Sequence, residues 1–349
     1  MKLILILSLL SIQTFAAKTE SFELIYKGKN RFSPLIEMYG DTLIVADKVG
    51  TGQISLINTT SLNNVDVVNL DAGIISVTAL HKEGWFAACY DMGNAAVLFH
   101  ISNPEKKKKI YFGPESDYMC AGIDVTFEKN HPKLWIGSTF QRHILQYSFP
   151  RFTRPRITKK FDLISGPFRL KVRDNKVYTS NGLLMQRMPR NLPLILDAKS
   201  GNALAGSKLA RSNETTLIRE YGSNVTFDMN NKKAYYFRVL SNQLMQVDMN
   251  NPNENRLETI DLSIKFPRES TMYKKCQVVL GSHNDEQGKK LISWSVLKNG
   301  KEIQVIDAID VTKFKYFSGQ RIDSKGNVYL SSPLGVYRIN LGLNLKVCR

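Results

Sequence analysis

The chain has 349 residues, of which 43% are hydrophobic and 23% charged, and its formal net charge is +17. That balance excludes general disorder, because a disordered chain lacks the apolar surface needed to offset the entropy of ordering. The cationic excess favours anionic partners such as acidic glycans, anionic surfaces or acidic proteins, and no motif for specific nucleic-acid recognition accompanies it.

The chain begins MKLILILSLLSIQTFA, with one basic residue, Lys2, an apolar run from Leu3 to Ile12, and small residues before a polar start. This reads as a secretory signal peptide over residues 1–16, so a secreted or periplasmic location is expected. Thr14 and Ala16 supply the small side chains preferred at the third and first positions before cleavage. The alternative is an N-terminal membrane anchor, but the apolar run is shorter than the roughly 20 residues that span a bilayer. No later segment has the length and apolarity of a membrane helix.

Residues 17–349 read as one domain of repeats. The unit is a short apolar strand, a polar turn, a strand rich in β-branched and aromatic residues, a second turn and a third strand. Copies begin near Ser33 (SPLIEMYGDTLIVADKVGTGQISLIN), Ile75 (ISVTALHKEGWFAACYDMGNAAVLFHIS), Ala121 (AGIDVTFEKNHPKLWIGSTFQRHILQYSF) and Gly166 (GPFRLKVRDNKVYTSNG). Others begin near Ser223 (SNVTFDMNNKKAYYFRVLSNQLMQVDM), Cys276 (CQVVLGSHNDEQGKKLISWSVLKNGKEIQVID) and Gly319 (GQRIDSKGNVYLSSPLGVYRINL). In the last, Lys325-Gly326-Asn327 is a tight turn, with Val328–Leu330 and Val336–Ile339 as the strands it joins. Fourth-strand candidates separate the copies, such as Lys108–Phe112 and Arg256–Ile260.

Four strands per unit, repeated about seven times at a spacing of roughly 42 to 55 residues, predict an all-β fold, a β-propeller of seven four-stranded blades. The N-terminal segment SFELIYKG, Ser21 to Gly28, would complete the last blade and close the ring, leaving no open edge. Two β-sandwich domains are the structural alternative. The four cysteines, Cys89, Cys120, Cys276 and Cys348, match no zinc spacing. Their repeat positions suggest Cys89 with Cys120 and Cys276 with Cys348, each pair in neighbouring blades, with buried free thiols as the alternative.

The segment AYYFRVLSNQLMQVDM resembles a blade of the yellow and major royal jelly protein family, and IDSKGNVYLSSPLGVYRI resembles the last blade of gluconolactonase-type and NHL-type propellers. The resemblance implies six blades as the alternative to seven, and ligand carriage or lactonase-like hydrolase or lyase chemistry. Lactonase-type relatives hold a divalent cation through a Glu opening the first blade and Asn and Asp on later ones. Here Ser33-Pro34-Leu35, Cys120-Ala121-Gly122 and Ser318-Gly319-Gln320 stand at those openings, and only Asn224 is ligand-like. One Asn cannot hold a hard cation, so no metal and no cofactor are expected.

No GxSxG, P-loop, GxGxxG or HExxH motif occurs. Loops joining second to third strands should gather with the blade connections on one face, and they carry Asp47, Lys48, Asp91, Arg142, His143, Asn181, Arg187, Arg190, Arg238 and Asn242. The connections add Asp117 and Tyr118. This mixed ring suits a small polar ligand or a protein. Two basic clusters, Lys106, Lys107, Lys108 and Lys109, and Arg151, Arg154, Arg156, Lys159 and Lys160, fall between third and fourth strands of consecutive repeats and form a basic rim. The expectation is an exported, non-enzymatic binding propeller; the alternatives are the lactonase-like enzyme and an adhesion or scaffold module using the rim on anionic surfaces.

Overall fold

The computed structural model describes residues 21–29, 31–47, 52–71, 73–80, 84–90, 94–112, 120–129, 131–138, 141–149, 155–163, 169–180, 194–205, 225–238, 242–252, 258–341 and 344–348. They form seven four-stranded antiparallel sheets, the blades of a propeller. An N-terminal strand, β1 (Glu23–Lys27), precedes the first blade. Blade 1 runs outward through β2 (Leu35–Tyr39), β3 (Thr42–Ala46), β4 (Gln53–Asn58) and β5 (Asn64–Asn69). Blade 2 follows with β6 (Ile74–Leu80), β7 (Trp85–Tyr90), β8 (Ala95–His100) and β9 (Asn103–Tyr111). Blade 3 has β10 (Cys120–Glu128), β11 (His131–Ser138), β12 (His143–Ser148) and β13 (Arg156–Asp162).

Blade 4 comprises β14 (Arg169–Arg173), β15 (Lys176–Ser180), β16 (Leu194–Asp197) and β17 (Ala203–Ala205). Blade 5 comprises β18 (Val225–Asp228), β19 (Lys233–Arg238), β20 (Gln243–Asp248) and β21 (Glu258–Asp261). Blade 6 has β22 (Pro267–Tyr273), β23 (Cys276–Asn284), β24 (Lys290–Lys298) and β25 (Lys301–Asp310). Blade 7 has β26 (Gly319–Ile322), β27 (Asn327–Ser332) and β28 (Gly335–Asn340), and β1 lies outside β28, pairing Glu23 with Arg338 and Lys27 with Gly335. The helical content among the described residues is two short 3-10 turns, Thr312–Phe314 and Lys346–Cys348.

The second and third strands of each blade are covered on both faces, so they carry continuous apolar runs. Leu43, Ile44, Val45 and Ala46 of β3, and Ala96, Val97, Leu98 and Phe99 of β8, are all fully buried. The core is therefore divided among the blade interfaces. One apolar cluster fills each of the seven, from Ile44, Phe86 and Phe99 between blades 1 and 2 to Tyr26, Ile36 and Tyr329 between blades 7 and 1. Each fully buried Leu, Ile or Phe contributes about 1.5 to 3 kcal/mol. A cluster at every interface, including the one that joins chain start to chain end, means the ring is closed with seven blades.

Two sequence expectations need correction. The turn at Asp323–Gly326 leads from β26 into β27, and Pro333-Leu334 joins β27 to β28, so Lys325-Gly326-Asn327 is one hairpin earlier than predicted. The copy placed at Cys276 starts on the second strand of its blade. Its first strand, β22, has the sequence PRESTMY, whose polar residues hide the strand because they face the ring axis and the neighbouring inner strand rather than an apolar layer.

Disulfides join Cys89 of β7 to Cys120 of β10, with Cα atoms 5.7 Å apart, and Cys276 of β23 to Cys348 in the C-terminal turn, 5.4 Å apart. Both link neighbouring blades or their flanking segments. Cys348 fastens the chain end beyond blade 7 to blade 6.

Candidate functional site

The innermost strands surround the ring axis, and they carry charge where outer layers carry apolar side chains. Glu37 of β2, Asp124 of β10 and Glu269 of β22 are buried, and Arg169, Lys171 and Arg173 of β14 and Arg321 of β26 are partly buried. Arg321 donates from Nε and Nη2 to the two carboxylate oxygens of Glu37 at 2.8 and 3.1 Å, and its Nη1 lies 3.7 Å from Glu269. Arg173 Nη1 donates to Asp124 Oδ2 at 2.9 Å, and the same oxygen accepts the Val172 backbone N–H at 2.7 Å.

Burial pushes Lys171 and Arg169 below their ordinary values; Asp124 and Glu37 oppose it at Lys171, and Glu269 opposes it at Arg169. Burial also opposes the charge on Arg321, but Glu37 and Glu269 together outweigh it and raise that group. Two separate ion-paired groups result: Glu37–Arg321–Glu269 joins blades 1, 7 and 6, and Asp124–Arg173 joins blades 3 and 4, with Arg169 and Lys171 on β14 beside them. Chemically, these are one two-point ion pair with a second carboxylate nearby and one single-point pair, each tying an inner strand to that of the neighbouring blade. None of these seven was singled out from sequence, although the polar residues interrupting short strands, as in LIEMY and RLKVR, are the signal that marks them.

Because the four strands of a blade alternate in direction, the turn from second to third strand and the connector to the next blade emerge on one face, here the connector face. Of the residues predicted for that face, Asp91, Asp117, Tyr118 and Arg187, with Lys48, Asn181 and Arg190, lie outside the described residues. Asp47 is buried and accepts the Tyr26 hydroxyl at 2.5 Å, which pins β1 of blade 7 to blade 1. His143 is not in a loop: it is buried at the start of β12, opposite Ser138 and Asp162. Arg238 is the last residue of β19 and pairs with Gln243.

Asn242 has a positive φ of 53°, and its side-chain oxygen accepts the Phe266 backbone N–H at 2.9 Å. Arg142 is exposed with a positive φ of 54°, and its carbonyl accepts the Leu163 N–H at 2.7 Å. Asp47 and Asn242 therefore each tie a strand end to a neighbouring segment, and His143 stands within a strand. At Asn242 the reason is that a short polar side chain takes up a backbone N–H that lies beyond the strand ladder.

The basic residues occupy outermost strands rather than the turns before them. Lys106–Lys109 lie within β9, and Arg156, Lys159 and Lys160 lie within β13, while Arg151 and Arg154 are outside the described residues. Several are engaged: Lys109 pairs with Asp71 and sits 4.9 Å from the Tyr90 ring centre, Lys107 donates to the Asn69 carbonyl at 2.7 Å, and Lys159 donates to the Ala198 carbonyl at 2.6 Å. Lys107 and Lys109 tie the outer strand of blade 2 back to the end of blade 1, and Lys159 ties that of blade 3 to blade 4. Lys106 is exposed on β9.

The connector face also carries a feature that sequence reasoning missed. The connectors into blades 6, 7 and 1 each present a cation followed at once by an exposed aromatic: Lys265-Phe266, Lys315-Tyr316 and Arg31-Phe32. Leu334, in the turn of blade 7 on the same face, is exposed as well, and its carbonyl accepts the Gly28 N–H at 3.0 Å. The connector into blade 7 is firmly seated, since Phe314 and Phe317 flank Tyr316 and pack with Phe22 and Tyr337.

Among the described residues, no group of three or more His, Cys, Asp or Glu side chains gathers as a metal site, and no helix is long and apolar enough to cross a membrane. No family model matches the sequence, and no curated protein matches it. Solved structures do match, 959 chains of them, so the fold is widespread and does not by itself single out an activity. One is the crystal structure of the Cps50 (Swd1) β-propeller domain of Myceliophteria thermophila, with a TM-score of 0.65 at 8% identity, covering 91% of this chain and 99% of that one. At that identity the likeness establishes the architecture alone: this chain is a seven-bladed β-propeller.

Proposed function

We propose that this chain is an exported binding propeller that holds a protein partner on its connector face. One observation carries the reading. Phe32, Phe266, Tyr316 and Leu334 are 36%, 39%, 42% and 39% exposed, and all four lie on one face of three consecutive blades. Other exposed apolar side chains, such as Tyr111, Ile157, Leu204 and Val305, are distributed over outermost strands of different blades, where single exposures are ordinary. Clustered aromatics on a rigid scaffold are the composition of an interface centre.

Two further features support the reading. The axial ion pairs and the inter-blade disulfides hold the ring stiff, so a partner meets connectors that are already ordered. The leader-like residues 1–16 and the paired cysteines fit an oxidising compartment.

The test is site-specific photocrosslinking in the source organism, with the crosslinker at Phe32 or Leu334 on the connector face and at Ile157 or Val305 on outer strands. The expected result is a discrete adduct with a second polypeptide from the connector face. Adducts formed from the outer strands alone overturn the reading.

A further inference from the structure

We infer that the partner surface recognised by blades 6, 7 and 1 is an acidic polypeptide segment that also carries apolar side chains. The inference rests on the binding reading above and adds the chemistry of what is bound. The three connectors, residues 28–34, 262–266 and 311–318, together with Pro267 and Arg268 at the start of β22, contain Lys29, Arg31, Lys265, Arg268, Lys313 and Lys315, all exposed, and not one Asp or Glu. The four remaining connectors differ: residues 69–73 and 112–119 carry acids, residues 163–168 carry no charge, and the long connector at 206–224 mixes both signs. None of those four contains a cation followed directly by an aromatic. Among the connectors, positive charge unbalanced by any acid is therefore confined to the sector that also exposes aromatic rings.

The geometry pairs the two chemistries closely. The Arg31 guanidinium lies 5.1 Å from the Phe32 ring centre. Leu334 abuts Gly28, and the Ser331 hydroxyl bonds the Pro34 carbonyl, which links blade 7 to the connector of blade 1. Carboxylates of a segment laid across this arc meet the six cations, while its apolar side chains cover rings that cannot be covered by charge alone.

A lipid surface would meet the same charge, but insertion requires rings that project past their cations into the acyl boundary. Here the rings are less than half exposed, so they form a floor, which suits a polypeptide lying across them.

The experiment measures binding of the intact protein to a labelled random copolymer of glutamate and tyrosine by fluorescence anisotropy. Poly-glutamate and vesicles containing phosphatidylserine are the comparison probes. The copolymer should bind about tenfold more tightly than poly-glutamate, because aromatic anchors carry much of an interface's energy. Phe32→Ser with Tyr316→Ser should remove that advantage. Arg31→Glu with Lys265→Glu should weaken both polymers by at least about tenfold at low salt, and Lys106→Glu with Lys160→Glu on the rim should weaken neither comparably. Equal binding of the two polymers, or greater sensitivity to the rim pair than to the connector pair, overturns the inference. So does tighter binding to vesicles than to the copolymer with the same dependence on Phe32 and Tyr316. Melting temperature checks folding of each variant, and Phe32→Ser alone, at a residue of ordinary φ, provides a second readout should the double variant be unstable. If crosslinks form from the connector face while the copolymer fails to bind, the chemistry is wrong and the binding face stands; if neither occurs, both fail.

Discussion

Glu37 and Arg321 stand 284 residues apart in sequence and meet through two hydrogen bonds, at 2.8 and 3.1 Å, between the inner strands of the first and last blades. The chain's two ends are thus joined near the axis by a buried, two-point ion pair.

Removing Glu37 leaves Arg321, in a largely dry position, with only the longer 3.7 Å approach to Glu269. Glu37→Gln should therefore destabilise the fold by up to about 3 kcal/mol, read as a lowered urea midpoint. Arg321→Lys keeps the charge but loses the planar fork, so it should be destabilising too, though less than Arg321→Met. Wild-type midpoints in all three would mean the seam does not depend on this contact.

The disulfides span 31 residues in one case and 72 in the other. Loop-closure entropy then assigns about 3.7 kcal/mol to Cys89–Cys120 and about 4.4 kcal/mol to Cys276–Cys348. Replacing Cys276 and Cys348 by Ser should lower the melting temperature at least as much as replacing Cys89 and Cys120. The opposite order would mean that native packing, not the constraint on the unfolded chain, sets the effect.

Burial lowers the His143 pKa below the ordinary imidazole value; Lys160 pushes the same way and Asp162 opposes it. The unfolded chain takes up that proton at a higher pH than the native chain does. The resulting stability is complete above about pH 6.5 and declines as pH falls through that value toward the depressed native one. A His143→Gln variant should show a shallower loss of melting temperature between pH 7.5 and 5 than the parent. Parallel slopes would exclude His143 as the source.

The Asn242 side chain holds the Phe266 N–H, and Asn242 and Phe266 both have positive φ, 53° and 48°. Asn242→Ala removes the acceptor and places a residue without local hydrogen bonding in a left-handed conformation, a combined cost of about 1 to 3 kcal/mol. Hydrogen exchange at residues 262–268 should quicken more than exchange in β23. Unchanged protection of the connector would show that Asn242 does not brace it.

The apolar strands β3, β7, β8 and β27 were legible in the sequence because a strand buried on both faces needs an unbroken apolar run. Inner strands were harder. β22 escaped notice, and with it Glu269, because a strand facing the axis satisfies polar side chains by pairing them with other blades, and such partners are invisible along the chain. The loop residues Asp47, His143 and Asn242 look like ligand groups in sequence, yet each is placed against strands or connectors of its own or a neighbouring blade.

From residues alone, the repeat of turn chemistry and apolar runs determined the all-β class and pointed to seven copies, with six left open by the family resemblance; the seven sheets of the tertiary structure decided the count. Tertiary structure decided which charges meet at the axis and which aromatics share the connector face. Those relationships join residues from different blades, and only closing the ring brings them within reach of one another.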